Sequence, residues 1–283
     1  MPYRTISLAG LPSFRIAVHG QNDQFISPEI LKTGRWEPLE TEVIIRCLQG
    51  GCDFYDVGAN VGWYSVVAGL TLADGDGAVH AFEPAVENAQ LLLHNVLDNR
   101  LSNVRVNPCA MGAQTGSIDL RLSEDNKGDH QAHGGFDNRV TAPASMIRFD
   151  RYHIPSRRRV FMKLDTQGSE LAVIEGMGTY LQSIDNLAML IEFWPLGLEH
   201  ALGNIDRLVG MLRGAGFHAF TLTEDDAYLR PASWNALAAA ARGRLAPETG
   251  RFVNLLLCRD GDRILDQVAD LIEETASNHI APL

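Results

Sequence analysis

The segment Phe54-Tyr55-Asp56-Val57-Gly58-Ala59-Asn60-Val61-Gly62 constrains this chain more than any other stretch. An apolar run closing on a carboxylate leads into a turn of small residues and a helical apolar pattern. One strand later comes Glu83, after Val79-His80-Ala81-Phe82. This strand–turn–helix–strand order is the unit with which α/β folds hold a nucleoside. Gly58 and Gly62 allow a tight exit from the strand, and the helix start that follows offers unpaired N–H groups to a ligand. Here the turn reads GxNxG behind an acid, where a pyrophosphate site would read GxGxxG. A carboxylate repels phosphate but attracts an ammonium group. Asp56 is therefore expected at the amino group of a methionine moiety and Glu83 at both ribose hydroxyls, a pairing that points to S-adenosyl-methionine.

Elsewhere apolar runs alternate with helical patterns. Strands are expected at Asp53–Val57, Ala78–Phe82, Val104–Val106, Val160–Leu164, Leu187–Phe193, His218–Leu222 and Phe252–Cys258. Helices are expected at Val61–Leu72, Glu87–Leu97, Glu170–Met177, Ile205–Leu212, around Trp234–Ala241 and at Arg263–Glu274. Such alternation predicts a mostly parallel sheet with helices on both faces. Residues 1–50, with a strand at Phe14–Val18, a loop at Ser27-Pro28-Glu29 and a helix from Pro38 to about Leu48, read as an amino-terminal cover on a domain spanning 51–283. Ser123–Ser145, rich in Gly, Asp, Asn and His, reads as one long polar loop, a length that usually serves function.

The third strand runs into Asn107-Pro108-Cys109-Ala110-Met111, on the edge where an adenine ring would lie. Ala110 is expected to touch that ring through its backbone, with Cys109 and Met111 packed in the core. A formal net charge of −11 argues against nucleic acid as a partner. Arg157-Arg158-Arg159 runs against that balance, but it precedes a strand at its amino end and reads as a solvated face. The four cysteines lack CxxC spacing, which suits reduced, packed thiols in a cytoplasmic protein. No apolar run has membrane-spanning length, so no membrane partner is expected.

Four blocks in order carry a resemblance: Asp56-Val57-Gly58-Ala59-Asn60-Val61-Gly62-Trp63-Tyr64-Ser65, Ala81-Phe82-Glu83-Pro84, Lys163-Leu164-Asp165-Thr166-Gln167-Gly168-Ser169-Glu170 and Ile191-Glu192-Phe193. Together they resemble the FkbM family of S-adenosyl-methionine-dependent methyltransferases, over roughly Asp53 to Trp194. The resemblance implies a class I, Rossmann-like fold with seven strands, mostly parallel, the last inserted antiparallel. It also implies O-methylation of a saccharide, glycan or secondary metabolite. Carried onto this chain, Asp56, Gly58, Ala59, Asn60 and Gly62 would surround the methionine part, Glu83 and Pro84 the ribose, and Asp165 the transferring methyl group. Gln167 stands where the family commonly has Glu, which removes a negative charge beside the reaction centre.

Methyl transfer to a hydroxyl needs alignment and a base. Asp165 and Glu192, each ending a strand, are expected to converge on one crevice, where one acid can raise the pKa of the other. Glu192 pairing only locally is the alternative. His130 and His133, spaced three apart beside Asp129, are further candidate bases, and no metal site is expected. Trp194 with Pro195 forms either a substrate wall or core, and Trp36-Glu37 either folds over the cofactor or staples a helix. A nicotinamide-dependent oxidoreductase and a cofactor-binding module without catalysis remain as competing functions. No pattern fixes the acceptor or an oligomeric state.

Overall fold

A computed structural model describes residues 1–132, 139–155, 158–201, 203–222, 228–243 and 252–273. In chain order the elements begin with β1 (Tyr3–Ile6), β2 (Phe14–Ala17), α1 (Ile26–Thr33), α2 (Pro38–Cys47), β3 (Asp53–Val57), α3 (Trp63–Thr71), β4 (Val79–Phe82), α4 (Val86–Asp98) and β5 (Val104–Asn107). There follow β6 (Ala110–Met111), β7 (Gly116–Leu122), β8 (Val140–Ile147), α5 (Phe149–Tyr152), β9 (Val160–Leu164), α6 (Glu170–Gly176), α7 (Tyr180–Ser183) and β10 (Leu187–Phe193). The last are α8 (Pro195–His200), α9 (Ile205–Gly214), β11 (His218–Leu222), β12 (Arg230–Ala232), α10 (Trp234–Gly243), β13 (Val253–Cys258) and α11 (Arg263–Gln267).

The central sheet has the order β12-β11-β13-β10-β9-β3-β4-β5. Strands β5, β4, β3, β9 and β10 pair in parallel, and β13 enters antiparallel between β10 and β11. Among the described residues the expected α/β sheet is thus present as a mixed sheet of eight strands rather than seven. The additional strand, β12, lies antiparallel to β11 at one edge.

Side chains alternate across this sheet with period two, as a pleated strand requires. Phe54, Phe161, Ala188 and Leu190 enter one core with α2, α3 and α4 residues such as Val43, Val66 and Leu92. Tyr55, Val57, Met162, Leu164 and Met189 enter a second core with Val173, Leu208 and Leu237 from α6, α9 and α10. Where the first of these faces reaches the carboxyl edge, it turns polar. Asp56 pairs in register with Lys163, and Glu192 with Asn254, so all four lie on the face that carries Phe54. Apolar positions under α2 and α3 therefore give way to a row of polar groups, three of them ionisable.

The structure corrects several expectations. Ser123–Ser145 is not one loop, because Val140–Ile147 is a strand; β8 pairs antiparallel with β7 and parallel with β6 in a separate three-stranded sheet. Ser27-Pro28-Glu29 lies in α1, where Pro28 occupies the first turn and forfeits no helical hydrogen bond. Arg159 is not simply solvated; it donates to the Cys47 and Gln49 carbonyls, while Arg158 pairs with Asp76. Arg157 lies outside the described residues. Cys47, Cys52 and Cys258 are buried free thiols and Cys109 is half-buried. Among the described residues no helix is long and apolar enough to cross a membrane.

The segment before β3 is stitched to the sheet. Asn95, buried on α4, donates to the carbonyls of Ala17 and Val61 and accepts from the Ala17 amide. One side chain thereby joins β2, α4 and the turn after β3.

Candidate functional site

A cavity of about 750 Å³ opens at the carboxyl edge of the parallel strands. That volume suits a nucleoside together with a small second ligand. Gly58, Ala59, Asn60, Glu83, Pro84, Ala110, His130, Asp165 and Glu192 all line it.

The turn after β3 is fixed by its backbone. Gly58 has φ +87°, and a Cβ there would stand 1.9 Å from the Asp165 carbonyl oxygen, so no side chain fits. The amides of Gly58 and Ala59 both donate to the Phe82 carbonyl, at 3.0 Å each. Asn60, also left-handed at φ +49°, turns its amide onto Glu83 Oε2 at 2.8 Å, and the Ala85 amide reaches Glu83 Oε1 at 2.9 Å. Burial pushes the Glu83 carboxyl up to about 7 against the pull of these amides. Each of its oxygens keeps lone-pair capacity for a further donor.

Asp56 and Gly62 do not line the cavity. Val57, not Asp56, closes the strand, and Asp56 is 1% exposed beneath α3, with Oδ2 accepting from Ser65 at 2.6 Å. Its Oδ1 has no protein partner. Burial pushes it up to about 6 while Lys163 and Ser65 pull it down. Gly62 caps α3 in the left-handed conformation and packs against Leu92. These two residues lie behind the wall, where the sequence reading expected them at the ligand.

At the opposite end Lys163, only 6% exposed, sets the electrostatics. Its Nζ lies 2.7 Å from Asp165 Oδ2 and 4.6 Å from the centre of the Tyr64 ring. Burial alone would raise the Asp165 pKa, but the Lys163 ammonium and the hydrogen bonds it receives hold it below the usual range. Gln167 Nε2 donates to Asp165 Oδ1 at 2.7 Å and to Glu192 Oε2 at 2.8 Å. Glu192 is pushed well above the carboxylate range, first by burial and then by the neighbouring Asp165 charge. The two acids thus converge on one amide, with Asp165 shifted toward its ionised form and Glu192 toward its protonated one.

His130 is poorly made for a base. Its Nδ1 accepts the Ser123 amide at 3.0 Å, so the remaining ring nitrogen carries the proton and can only donate. Burial, aided by Lys127, pushes its pKa down to about 4. His133 lies outside the described residues. Trp194 is half-buried beside Gly197 and does not line the cavity.

Trp36 and Glu37 do line it, so the amino-terminal segment forms part of the wall. Glu37 adopts φ +41° and accepts from the Tyr64 hydroxyl; burial pushes it up to about 7 against Lys163. Glu40 joins the same wall and accepts from Asn254. Sequence reasoning passed over Lys163 as a site residue, although a lysine inside the apolar run Val160–Leu164 is itself a signal. Trp36-Glu37 carried two readings in the sequence, and the left-handed conformation of Glu37, not written in its residue type, places its carboxyl on the wall. In all, Asp165, Glu37, Asp56 and Glu192 act on one buried ammonium, so carboxyls outnumber the cation at this end of the cavity.

The sequence matches the model of the methyltransferase FkbM domain over residues 56–218, more than half of the chain. No curated protein matches it. Among solved structures, a methyltransferase FkbM from Methylobacillus flagellatus is 23% identical with a TM-score of 0.34, covering 50% of this chain and 32% of that protein's own length. Precorrin-6y C5,15-methyltransferase from Geobacter metallireducens is 13% identical with a TM-score of 0.42, covering 79% of this chain and 88% of that one. TYW2 from M. jannaschii, in complex with AdoMet, is 10% identical with a TM-score of 0.41 and covers 90% of this chain and 84% of that one.

Proposed function

Because this chain belongs to the FkbM methyltransferase family and is accordingly an S-adenosyl-methionine-dependent methyltransferase, we propose that it methylates a hydroxyl on a saccharide or a small secondary metabolite. The observation that carries this reading is one cavity with Glu83, suited to accept ribose hydroxyls, at one end and the Asp165–Glu192 pair at the other. When bound, S-adenosyl-methionine supplies an electrophilic methyl group on a positively charged sulfur. The residues present fit such a ligand in size and sign, since Glu29, Glu37, Glu40, Glu42, Glu83, Asp165 and Glu192 outnumber Lys127 and Lys163 along the wall.

In this reading Glu83 accepts the ribose hydroxyls, while the Gly58–Asn60 turn and Pro84 shape the wall beside them. Ala110 lies along the adenine, where the proton-bearing nitrogen of His130 can donate. Asp165, held ionised by Lys163, faces the sulfonium. Glu192 takes the acceptor's proton, because a carboxyl with a raised pKa is a stronger base once ionised. Asp56 acts from behind the wall, holding Ser65 and balancing Lys163.

A small acceptor acted on in the cytoplasm, rather than nucleic acid or a membrane, suits the net charge of −11 and the three buried thiols. Family membership sets aside the nicotinamide-dependent alternative.

The test has two stages. Calorimetry with S-adenosyl-homocysteine should show binding that weakens in Glu83→Gln. Turnover is then followed as S-adenosyl-homocysteine formation across a panel of saccharides, hydroxylated small molecules and amines. Turnover confined to amines would overturn O-methylation, and binding without turnover anywhere would leave a non-catalytic module.

A further inference from the structure

The backbone between β9 and α6 holds Gln167 at φ +51°, a conformation that costs a residue with a side chain about 1 kcal/mol or more. The turn is held there by a buried carboxylate. Glu170, 0% exposed, accepts from the Thr166 amide at 3.0 Å, the Thr166 hydroxyl at 2.9 Å and the Gly168 amide at 3.2 Å, all on Oε1. Gly168 sits so close to the Gly197 carbonyl that a Cβ would approach it to 2.4 Å. The outcome of this local strain is the placement of one amide group, whose two protons serve two carboxyls, Asp165 and Glu192.

We propose that Gln167 is a positioning residue for methyl transfer: its amide ties Asp165 and Glu192 into one unit that surrenders a proton when a sulfonium arrives, readying Glu192 as the base for the acceptor hydroxyl. The inference rests on the reading of the cavity given above and adds to it the group that prepares the base. In the transfer the acceptor oxygen bonds to the methyl carbon, the carbon–sulfur bond breaks with its electron pair left on sulfur, and the hydroxyl proton passes to Glu192. Nothing else is consumed.

Glu192 faces Lys163 from β9, Asp165 from the turn that follows it, Glu170 from α6 and Glu37 from the segment before α2. Only Lys163 among them is positive, so an entering positive sulfur meets an excess of acid. A proton held by the pair is then the charge most readily expelled. Without the amide, nothing of opposite polarity lies between Asp165 and Glu192, and the pair holds its proton more tightly.

Calorimetry of the whole chain over a series of pH values, in buffers of different ionisation enthalpy, counts the protons released by each nucleoside. S-adenosyl-methionine carries the positive sulfur and S-adenosyl-homocysteine does not, so the wild type should release more protons with the former, within a defined pH window. Gln167→Glu adds a third carboxyl and should move that window upward by about one pH unit. Gln167→Gly suits the left-handed backbone, removes the amide and should move it the same way; it decides the matter if the glutamate variant does not fold. A purely structural role would alter the melting temperature and leave the window in place. Equal proton counts for the two nucleosides in the wild type, or an unmoved window in the folded variants, overturns the role of Gln167. Failure of the wild type to bind either nucleoside overturns the underlying reading of the cavity, and this inference with it.

Discussion

At the end of the cavity proposed for the nucleoside, Glu83 is held by the backbone amides of Asn60 and Ala85, whereas at the end proposed for the reaction, Asp165, Glu192 and Glu37 are held by the side chains of Lys163, Gln167 and Tyr64. A main-chain donor is supplied by any residue but proline, so the first end tolerates drift in its neighbours. The second end depends on each side chain that builds it. In the proposed reading, main chain would serve the ligand common to every methyl transfer, and side chains the chemistry particular to one.

That contrast breaks hardest at Gly58, where the two ends meet through the Asp165 carbonyl. Gly58→Val should cost about 4 kcal/mol by clash and strain. Urea unfolding would measure it, and a loss below about 1 kcal/mol would contradict the geometry described.

Lys163→Met tests the side-chain end. Removing the ammonium leaves Asp165, Glu37 and Asp56 without their cation, at a cost of about 3 kcal/mol. The same unfolding experiment reads it, and a neutral result would mean that the acids are balanced from elsewhere.

A smaller effect separates the ends by function. In Glu83→Gln one backbone amide faces an NH₂ group instead of an oxygen, and the ribose loses an acceptor. S-adenosyl-homocysteine affinity should fall by about 2 kcal/mol, roughly thirtyfold. Glu192→Gln should change it less than about threefold while suppressing turnover. Equal losses in binding would erase the distinction between the ends.

The smallest handle is pH. Burial raises Glu83 from its ordinary 4.5 to about 7 in the folded chain, and Glu37 and Asp56 shift in the same sense. Between those values the folded state holds protons that the unfolded chain has lost. The stability these groups contribute is therefore full below their ordinary pKa values and lost as pH rises through the folded ones. The melting temperature of the ligand-free protein should fall by roughly a few degrees from about pH 5 to about pH 8. A rise over that window would show that other groups dominate.

Much of the fold was legible because buried strands write themselves as short apolar runs: Asp53–Val57, Val160–Leu164, Leu187–Phe193 and His218–Leu222 form at the expected residues. The three-stranded sheet was not. Pro143 in β8 speaks against a strand, yet it is accommodated because β6 pairs only with Met146 and Ile147, leaving that edge open at Pro143. Glu83 was legible because one strand–helix–strand unit fixes where the next strand ends. The orientation of Asp56 was not, since residue type cannot tell which face of β3 an acid occupies when a serine on α3 waits to receive it. Glu37 depended on a left-handed backbone and a contact with Tyr64, 27 positions away.

Trp36, Glu37 and Glu40 precede the residues shared with the family, and Phe252 and Asn254 follow them, yet all five line the same cavity. In the proposed reading the matched block would furnish the donor's berth, while the flanking chain outside it would furnish part of what an acceptor meets. A chimera pairing this central block with the flanks of another family member would exchange substrate preference and leave cofactor use intact.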